Sequence, residues 1–206
     1  MLFRSKPGDP IFIFDNQQLD ALKLSENERK FVKPFYKNSD IHRGFVDLSE
    51  MQFVIYSNDI KKIDKLSKIK SHFKKLSSLL KGRLVRYEED YRWFNLHRGR
   101  DKTLFESEKL VTSRRAKKNT FAYENMKTYP QSDITLITPK KETKENLKYL
   151  LALLNSDFLN DWYGKNTKMK GNMREYYFTP LSKVPVRKID FNNNDESNIQ
   201  DRKSVV

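Results

Sequence analysis

The chain has 206 residues, 13% of them aromatic and none of them cysteine, with a formal net charge of +14. Such a length suits one domain with a modest core, and the lack of cysteine excludes disulfides and thiolate zinc sites. The opening MLFRSKPGDP lacks the apolar stretch of a signal peptide and no window offers the ~18 apolar residues of a bilayer span, so a cytoplasmic protein with no membrane partner is expected.

Ile11 to Phe14 reads as a strand. Ser25 and Glu28 form a capping-box pattern that opens a short helix, which Pro34 should end or bend. A second strand, Phe53 to Tyr56, runs into Ser57-Asn58-Asp59, a set of helix-cap residues. From 59 to 82 the period becomes helical: Ile63, Leu66, Ile69, Phe73, Leu76, Leu79 and Leu80 recur at three- and four-residue steps, lysines fill the other faces, and Gly82 stands where helices commonly stop. This predicts one long basic amphipathic helix, either packed on the core with a solvated lysine face, laid on phosphates, or lying on a membrane surface.

Residues 83–107 read as connecting structure around Trp93 and Phe94. Strands are predicted at Lys109–Arg115, Thr120–Tyr123 and Ile134–Thr138. Thr143 offers a cap for a leucine-rich helix through Leu154 that should be buried, Asn155-Ser156-Asp157 interrupts it, and a further turn or two ends before Gly164. A basic loop, KNTKMKGNMR, leads to a last strand around Tyr176-Tyr177-Phe178. The fold class is therefore α+β, a mixed or antiparallel sheet of short strands with a long basic helix and a buried C-terminal helix. One domain over 1–190 is expected, with 59–82 as a projecting element and a polar, mobile tail over 191–206.

The charge is concentrated. Residues 61–120 hold 19 Lys and Arg against 7 Asp and Glu, whereas residues 1–60 hold 8 against 9 and residues 121–206 hold 14 against 11. A solubility device would be spread out; a cluster of this kind is the footprint of a nucleic-acid binder. Three basic segments carry both cations and amides. They supply Arg92, Asn95, His97, Arg98 and Arg100; then Arg114, Arg115, Lys117, Lys118 and Asn119; then Lys168, Lys170, Asn172 and Arg174. Cations suit phosphates or guanine edges, and Asn suits adenine. The plain alternative is that each Asn caps a turn and each Lys is solvated.

None of the six glycines stands at phosphate-loop or dinucleotide spacing, so no cofactor is expected in this chain. His42, His72 and His97 lie far apart and form no ligand motif. Asp133 with Glu142 and Lys144 echoes a Mg²⁺-dependent nuclease, the leading catalytic alternative, although Thr143 and Glu145 read as a helix start where that site places its Glu and Lys on a strand. An RNA-binding module, or a fragment that mainly docks to protein, would also fit the charge.

The landmarks fall in a telling order. IFIFDNQQLDALKLSENERKFVKPFYKNSDIHRG precedes an Ile-Tyr strand, the basic helix and Arg92-Trp93-Phe94; Lys109-Leu110-Val111 and Phe121-Ala122-Tyr123 follow; then Leu150-Leu151-Ala152-Leu153-Leu154-Asn155-Ser156 and Leu181-Ser182-Lys183-Val184-Pro185-Val186. From about Ile11 to Val186 this resembles the TaqI-like C-terminal specificity domain, the target recognition region of adenine-specific DNA methyltransferases and single-chain restriction-modification enzymes. The resemblance implies a domain that grips duplex DNA opposite a methyltransferase catalytic domain, while the target adenine is rotated out of the stack. That family's catalytic Asn-Pro-Pro-Tyr is missing here. The resemblance therefore implies a non-catalytic recognition part whose parent enzyme uses S-adenosylmethionine. Base-reading residues vary with the target in such families, so the candidates above rest on charge alone.

Overall fold

The computed structural model describes residues 11–87, 92–96 and 99–198. Its chain begins with β1 (Ile13–Phe14), α1 (Asn16–Ala21), α2 (Glu26–Arg29), β2 (Val32–Tyr36), β3 (Gln52–Ile55), α3 (Ser67–Lys75) and α4 (Ser77–Tyr87). It continues through α5 (Lys102–Glu106), β4 (Lys109–Ser113), β5 (Arg115–Ala116), β6 (Phe121–Glu124), β7 (Tyr129–Pro130) and β8 (Ile134–Ile137). It closes with α6 (Leu147–Leu154), α7 (Asp157–Asn166), β9 (Met169–Lys170), β10 (Met173–Glu175), α8 (Phe178–Leu181) and α9 (Asn194–Ser197). The class is α+β, as the pattern of short strands predicts. By packing, the chain forms two compact units, the first from residues up to Tyr36 with Ser49–Lys102 and Lys127–Ser132, the second from Lys37–Leu48, Thr103–Met126 and Asp133 onward.

In the first unit a four-stranded sheet has the order β1-β3-β2-β7, and at its β1 end the Phe12 and Phe14 rings meet Phe73 and His72 of α3. The Ser25–Glu28 capping box forms, and Glu28 goes further than the pattern implies. One carboxylate oxygen accepts from the Ser25 N–H and hydroxyl, and the other accepts from the first N–H groups of α3, Lys68 at 2.7 Å and Ile69 at 3.1 Å. Burial pushes this carboxyl up, yet the hydrogen bonds outweigh it and hold the group below its ordinary value. The helix it caps ends before Pro34, but Val32–Tyr36 is a strand rather than a bent helix.

The long helix predicted over 59–82 is broken. Ser57–Asp59 and Ile63–Lys65 are 3₁₀ turns, α3 stops at Lys75, and α4 restarts at Ser77 and runs through Gly82 to Tyr87. The apolar positions 63, 66, 69, 73, 76 and 80 recur at a mean step of about 3.4, shorter than the ~3.6 of a straight helix, so their stripe winds round the axis. Bending the chain lets Ile60, Ile63, Leu66, Ile69, Phe73 and Leu80 all be buried. The lysines of α3 lie on the solvated side, and His72, half-buried and lowered in pKa by that burial, donates to the Ile11 carbonyl at 3.0 Å.

The second unit holds two three-stranded sheets, β6-β4-β8 and β5-β10-β9, with α6 and α7 packed beside them. Its core joins Leu110 and Phe121 to Leu147, Leu151, Leu154, Leu159, Tyr163 and Tyr176. Asn146, not Thr143, caps α6, and Leu147, Leu151 and Leu154 face inward as a buried C-terminal helix should. At the α6–α7 corner the Asn155 side chain pairs with the edge of β6 as an extra strand would. Its Oδ1 accepts from the Phe121 N–H at 3.0 Å, and its Nδ2 donates to the Phe121 carbonyl at 2.9 Å. Ser156 then caps α7. The same edge receives Gly44, whose positive φ of 100° lets the loop turn in to pair with Phe121 and Tyr123.

Two further elements differ from the sequence-based expectation. Helix α7 runs past Gly164 to Asn166, and the Arg174 guanidinium lies over that glycine, where an added Cβ would come within 2.8 Å. The basic loop is a hairpin, β9 to β10, and the strand expected at 176–178 lies three residues earlier, with Phe178 opening α8. Residues 191–198 form turns and α9, capped by Asn193 and tied by the Arg187–Glu196 pair at 2.7 Å.

A buried ion pair holds the base of β4. Lys109 and Glu124, 0% and 3% exposed, face each other across β4 and β6, and the ammonium also donates to the carbonyls of Phe105 at 2.7 Å, Ser107 at 3.1 Å and Met126 at 3.2 Å. Lys109→Met is expected to cost about 3–5 kcal/mol in urea unfolding because it strands Glu124, whereas adding Glu124→Leu should recover most of that loss. Asn155→Ala leaves the buried Phe121 N–H without its acceptor and is expected to cost about 1–3 kcal/mol in the same measurement. Asn155→Asp keeps that acceptor but sets a buried carboxylate against the Phe121 carbonyl in place of the Nδ2 donor, so it should not restore the lost stability.

Candidate nucleic-acid interface

The run Arg114 to Lys118 follows β4 directly, and the backbone of the second unit pins it. The Arg114 N–H donates to the Asp133 carbonyl at 2.9 Å and its own carbonyl accepts from the Tyr176 N–H at 2.9 Å. Beyond it, β5 pairs with β10, Arg115 opposite Glu175 and Ala116 opposite Arg174, and β10 pairs with β9, Met173 opposite Lys170 and Arg174 opposite Met169. Two of the three basic segments thus belong to one small sheet. The turn between β9 and β10 is the two-residue loop Gly171-Asn172, with φ of +60° at Gly171 and no positive φ at Asn172, the arrangement that matches strand twist in tight hairpins.

Within this sheet the arginines and lysines have different work. Arg114 lies 5.8 Å from the Tyr177 ring centroid, Arg115 pairs with Glu175 at 3.4 Å, and Arg174 donates to the Asn160 carbonyl at 2.9 Å and its Oδ1 at 2.8 Å. Each guanidinium is engaged by the protein itself. Lys117, Lys118, Lys168 and Lys170 are exposed, and no ion pair holds any of them among the described residues. Asn172 is exposed at the hairpin turn.

Asn119 is a correction. It is 5% exposed, its Nδ2 donates to the Leu154 carbonyl at 2.7 Å, and its Oδ1 accepts from the Tyr176 hydroxyl at 3.0 Å. Its backbone N–H donates to Asn160 Oδ1 at 3.0 Å. A base edge cannot reach an amide so enclosed. Tyr176 stacks on Tyr163, 4.6 Å between centroids at 4°, and Tyr163 donates to the Glu175 carbonyl at 2.8 Å. Burial pushes both phenols up, Tyr176 to about 12, so they stay neutral donors and anchor β10 to α7.

The third basic segment lies in the first unit. Arg92 is exposed but ties back, donating to the carbonyls of Asn58 at 3.2 Å and Lys61 at 3.3 Å beside the Phe94 ring. Asn95 is 7% exposed, a second correction, since a buried amide reads no base. Arg100 is half-buried and donates to the Ser132 carbonyl. His97 and Arg98 lie outside the described residues. The nuclease arrangement does not form: Asp133 accepts from the Asn38 amide, while Glu142 and Lys144 sit exposed beyond the end of β8 rather than on it. Among the described residues no group of three His, Asp or Glu side chains gathers as metal ligands would, and no helix is long and apolar enough to cross a membrane.

Sequence reasoning passed over Met169 and Met173, exposed on either strand of the hairpin. The signal was present as Gly-Asn between two short runs, the mark of a two-residue hairpin.

Comparison with known proteins agrees with this architecture. The Type II methyltransferases M.HincII and M.HindII of Haemophilus influenzae are each 36% identical to the chain over 73 residues, which is 35% of this chain and 14% of theirs. The structure of the Type IIL restriction-modification enzyme MmeI in complex with DNA shares the fold, with a TM-score of 0.59 at 11% identity over 94% of this chain and 25% of that one. The chain therefore spans a small part of the relatives it matches. Residues 33–186 match the model of the TaqI-like C-terminal specificity domain, and they include the Phe121–Asn155 clasp and the β5-β10-β9 sheet, so the chain belongs to that family.

Proposed function

We propose that this chain recognises a specific sequence in duplex DNA, as the specificity region of an adenine-specific DNA methyltransferase or restriction-modification enzyme acting in the cytoplasm. The observation that carries the reading is the β5-β10-β9 sheet, which has the exposed Lys117 and Lys118 just past one edge strand and the exposed Lys168 and Lys170 at the other, with Glu175 already engaged by Arg115. Phosphates take up such lysines, and each neutralised phosphate releases condensed counterions. The fold shared with MmeI, solved on DNA, and the likeness to two Type II methyltransferases support the same reading.

On this reading the chain performs no chemistry. It holds the duplex against a methyltransferase catalytic domain, in the same or a partner chain, which binds S-adenosylmethionine and receives the extruded adenine. Arg114, Arg115 and Arg174 serve chiefly to hold the sheet, and Lys117, Lys118, Lys168, Lys170 and Asn172 meet the duplex. In the first unit, Arg92 and Arg100 keep the backbone ties described above, so any contact they make with DNA is secondary.

The test is a salt titration of duplex binding. Lys117→Ala with Lys118→Ala is expected to reduce the slope of log affinity against log salt by about 0.9 for each phosphate that the protein no longer neutralises, without lowering the unfolding midpoint. An unchanged slope removes both residues from the interface. Tighter binding to duplex RNA than to duplex DNA at matched salt would reject the reading, because A-form RNA hides its major-groove edges.

A further inference from the structure

The six residues from Lys168 to Met173 are all exposed, and two of them are large and apolar: Met169 is 51% exposed and Met173 38%. A solvated hairpin gains nothing from exposed thioethers. The hairpin is nonetheless held firmly at its base, where Arg174 is clamped on Asn160 and Tyr163 holds the Glu175 carbonyl. Side chains alternate along β10. Arg174 and its partner Met169 therefore take the side of α7, while Met173 and its partner Lys170 take the outer side together with Arg115 and Glu175.

A two-stranded ribbon fits the major groove of B-DNA, roughly 12 Å wide. The walls of that groove are phosphates, and one apolar group projects from its floor, the thymine 5-methyl. A rigid hairpin with a thioether on its outer face and lysines along it matches both surfaces. An anionic bilayer would attract the same lysines, but it would need apolar side chains at the tip, where this hairpin has Gly171-Asn172.

Resting on the proposed reading that the chain recognises duplex DNA, we infer that the outer face of the β9–β10 hairpin enters the major groove. Met173 meets a thymine 5-methyl group, Asn172 faces the neighbouring base edges, and Lys168 and Lys170 take the flanking phosphates.

Methionine oxidation tests the placement. The full chain is treated with peroxide, free and saturated with random-sequence duplex at low salt, and sulfoxide is quantified by mass spectrometry. Met173 should be oxidised several-fold more slowly with duplex. Met126, 53% exposed and close to Lys109 at the other end of β4, should keep its rate. An unchanged rate at Met173 with duplex bound overturns the inference, and so does protection by phosphatidylserine vesicles in place of duplex. Sites selected from a randomised duplex pool provide the second measurement. Replacing one thymine by deoxyuridine should weaken native binding about three- to fivefold, the worth of one buried methyl group. Met173→Ala should abolish that difference and Met173→Leu should keep it. If Met173→Ala selects the same site with the same deoxyuridine effect, the hairpin assignment fails while DNA recognition stands. If the native chain binds no duplex, both fail.

Discussion

Two hydrogen bonds between the Asn155 amide and the main chain of Phe121 join the parts of the second unit on which its surface depends. They let a helix corner finish the edge of a sheet. Because Asn155 ends α6 and Ser156 caps α7, the clasp sets the direction in which α7 leaves, and α7 supplies Asn160 and Tyr163 as anchors for β10. Asn119 extends the network from Leu154 to Tyr176, so the run after β4 is held at both ends. In a dry interior such amides are costly unless every group is paired, which makes the network a strong constraint on a single arrangement.

The same constraint sorts the cations. A guanidinium has a planar fork that fits carbonyls and carboxylates, and here Arg92, Arg174 and Arg115 each meet an acceptor of the protein. A lysine ammonium is a compact, strongly hydrated charge that stays in water at little cost, and the lysines beside the same strands project outward. Lys109 is the exception, buried only because three carbonyls and Glu124 surround it. Charge counted along the chain therefore overstates what a partner can meet, because several guanidiniums turn inward onto the protein.

Much was legible in the residues themselves. The capping box at Ser25, the strands at 109–113, 121–124 and 134–137, and the buried leucines of α6 all follow from local chemistry, so tertiary context had little to change. The motifs Phe121-Ala122-Tyr123 and Leu153-Leu154-Asn155-Ser156 marked the family, and their contact explains why they occur together. The 59–82 segment misled because an apolar spacing near helical period does not reveal where a helix must bend to keep its stripe against a core.

The sequence by itself determined the α+β class, the family and the positive charge, because composition, short-range periodicity and motif order are properties of the chain. Only the tertiary structure decided which polar groups face outward. Asn95, Asn119 and Asn172 sit in similar basic surroundings in the sequence, yet the first two are buried and the third stands on a hairpin turn. The physical reason is that burial and hydrogen-bond partnership depend on residues 35 or more positions away, such as Leu154 and Tyr176 for Asn119, and no local pattern encodes them.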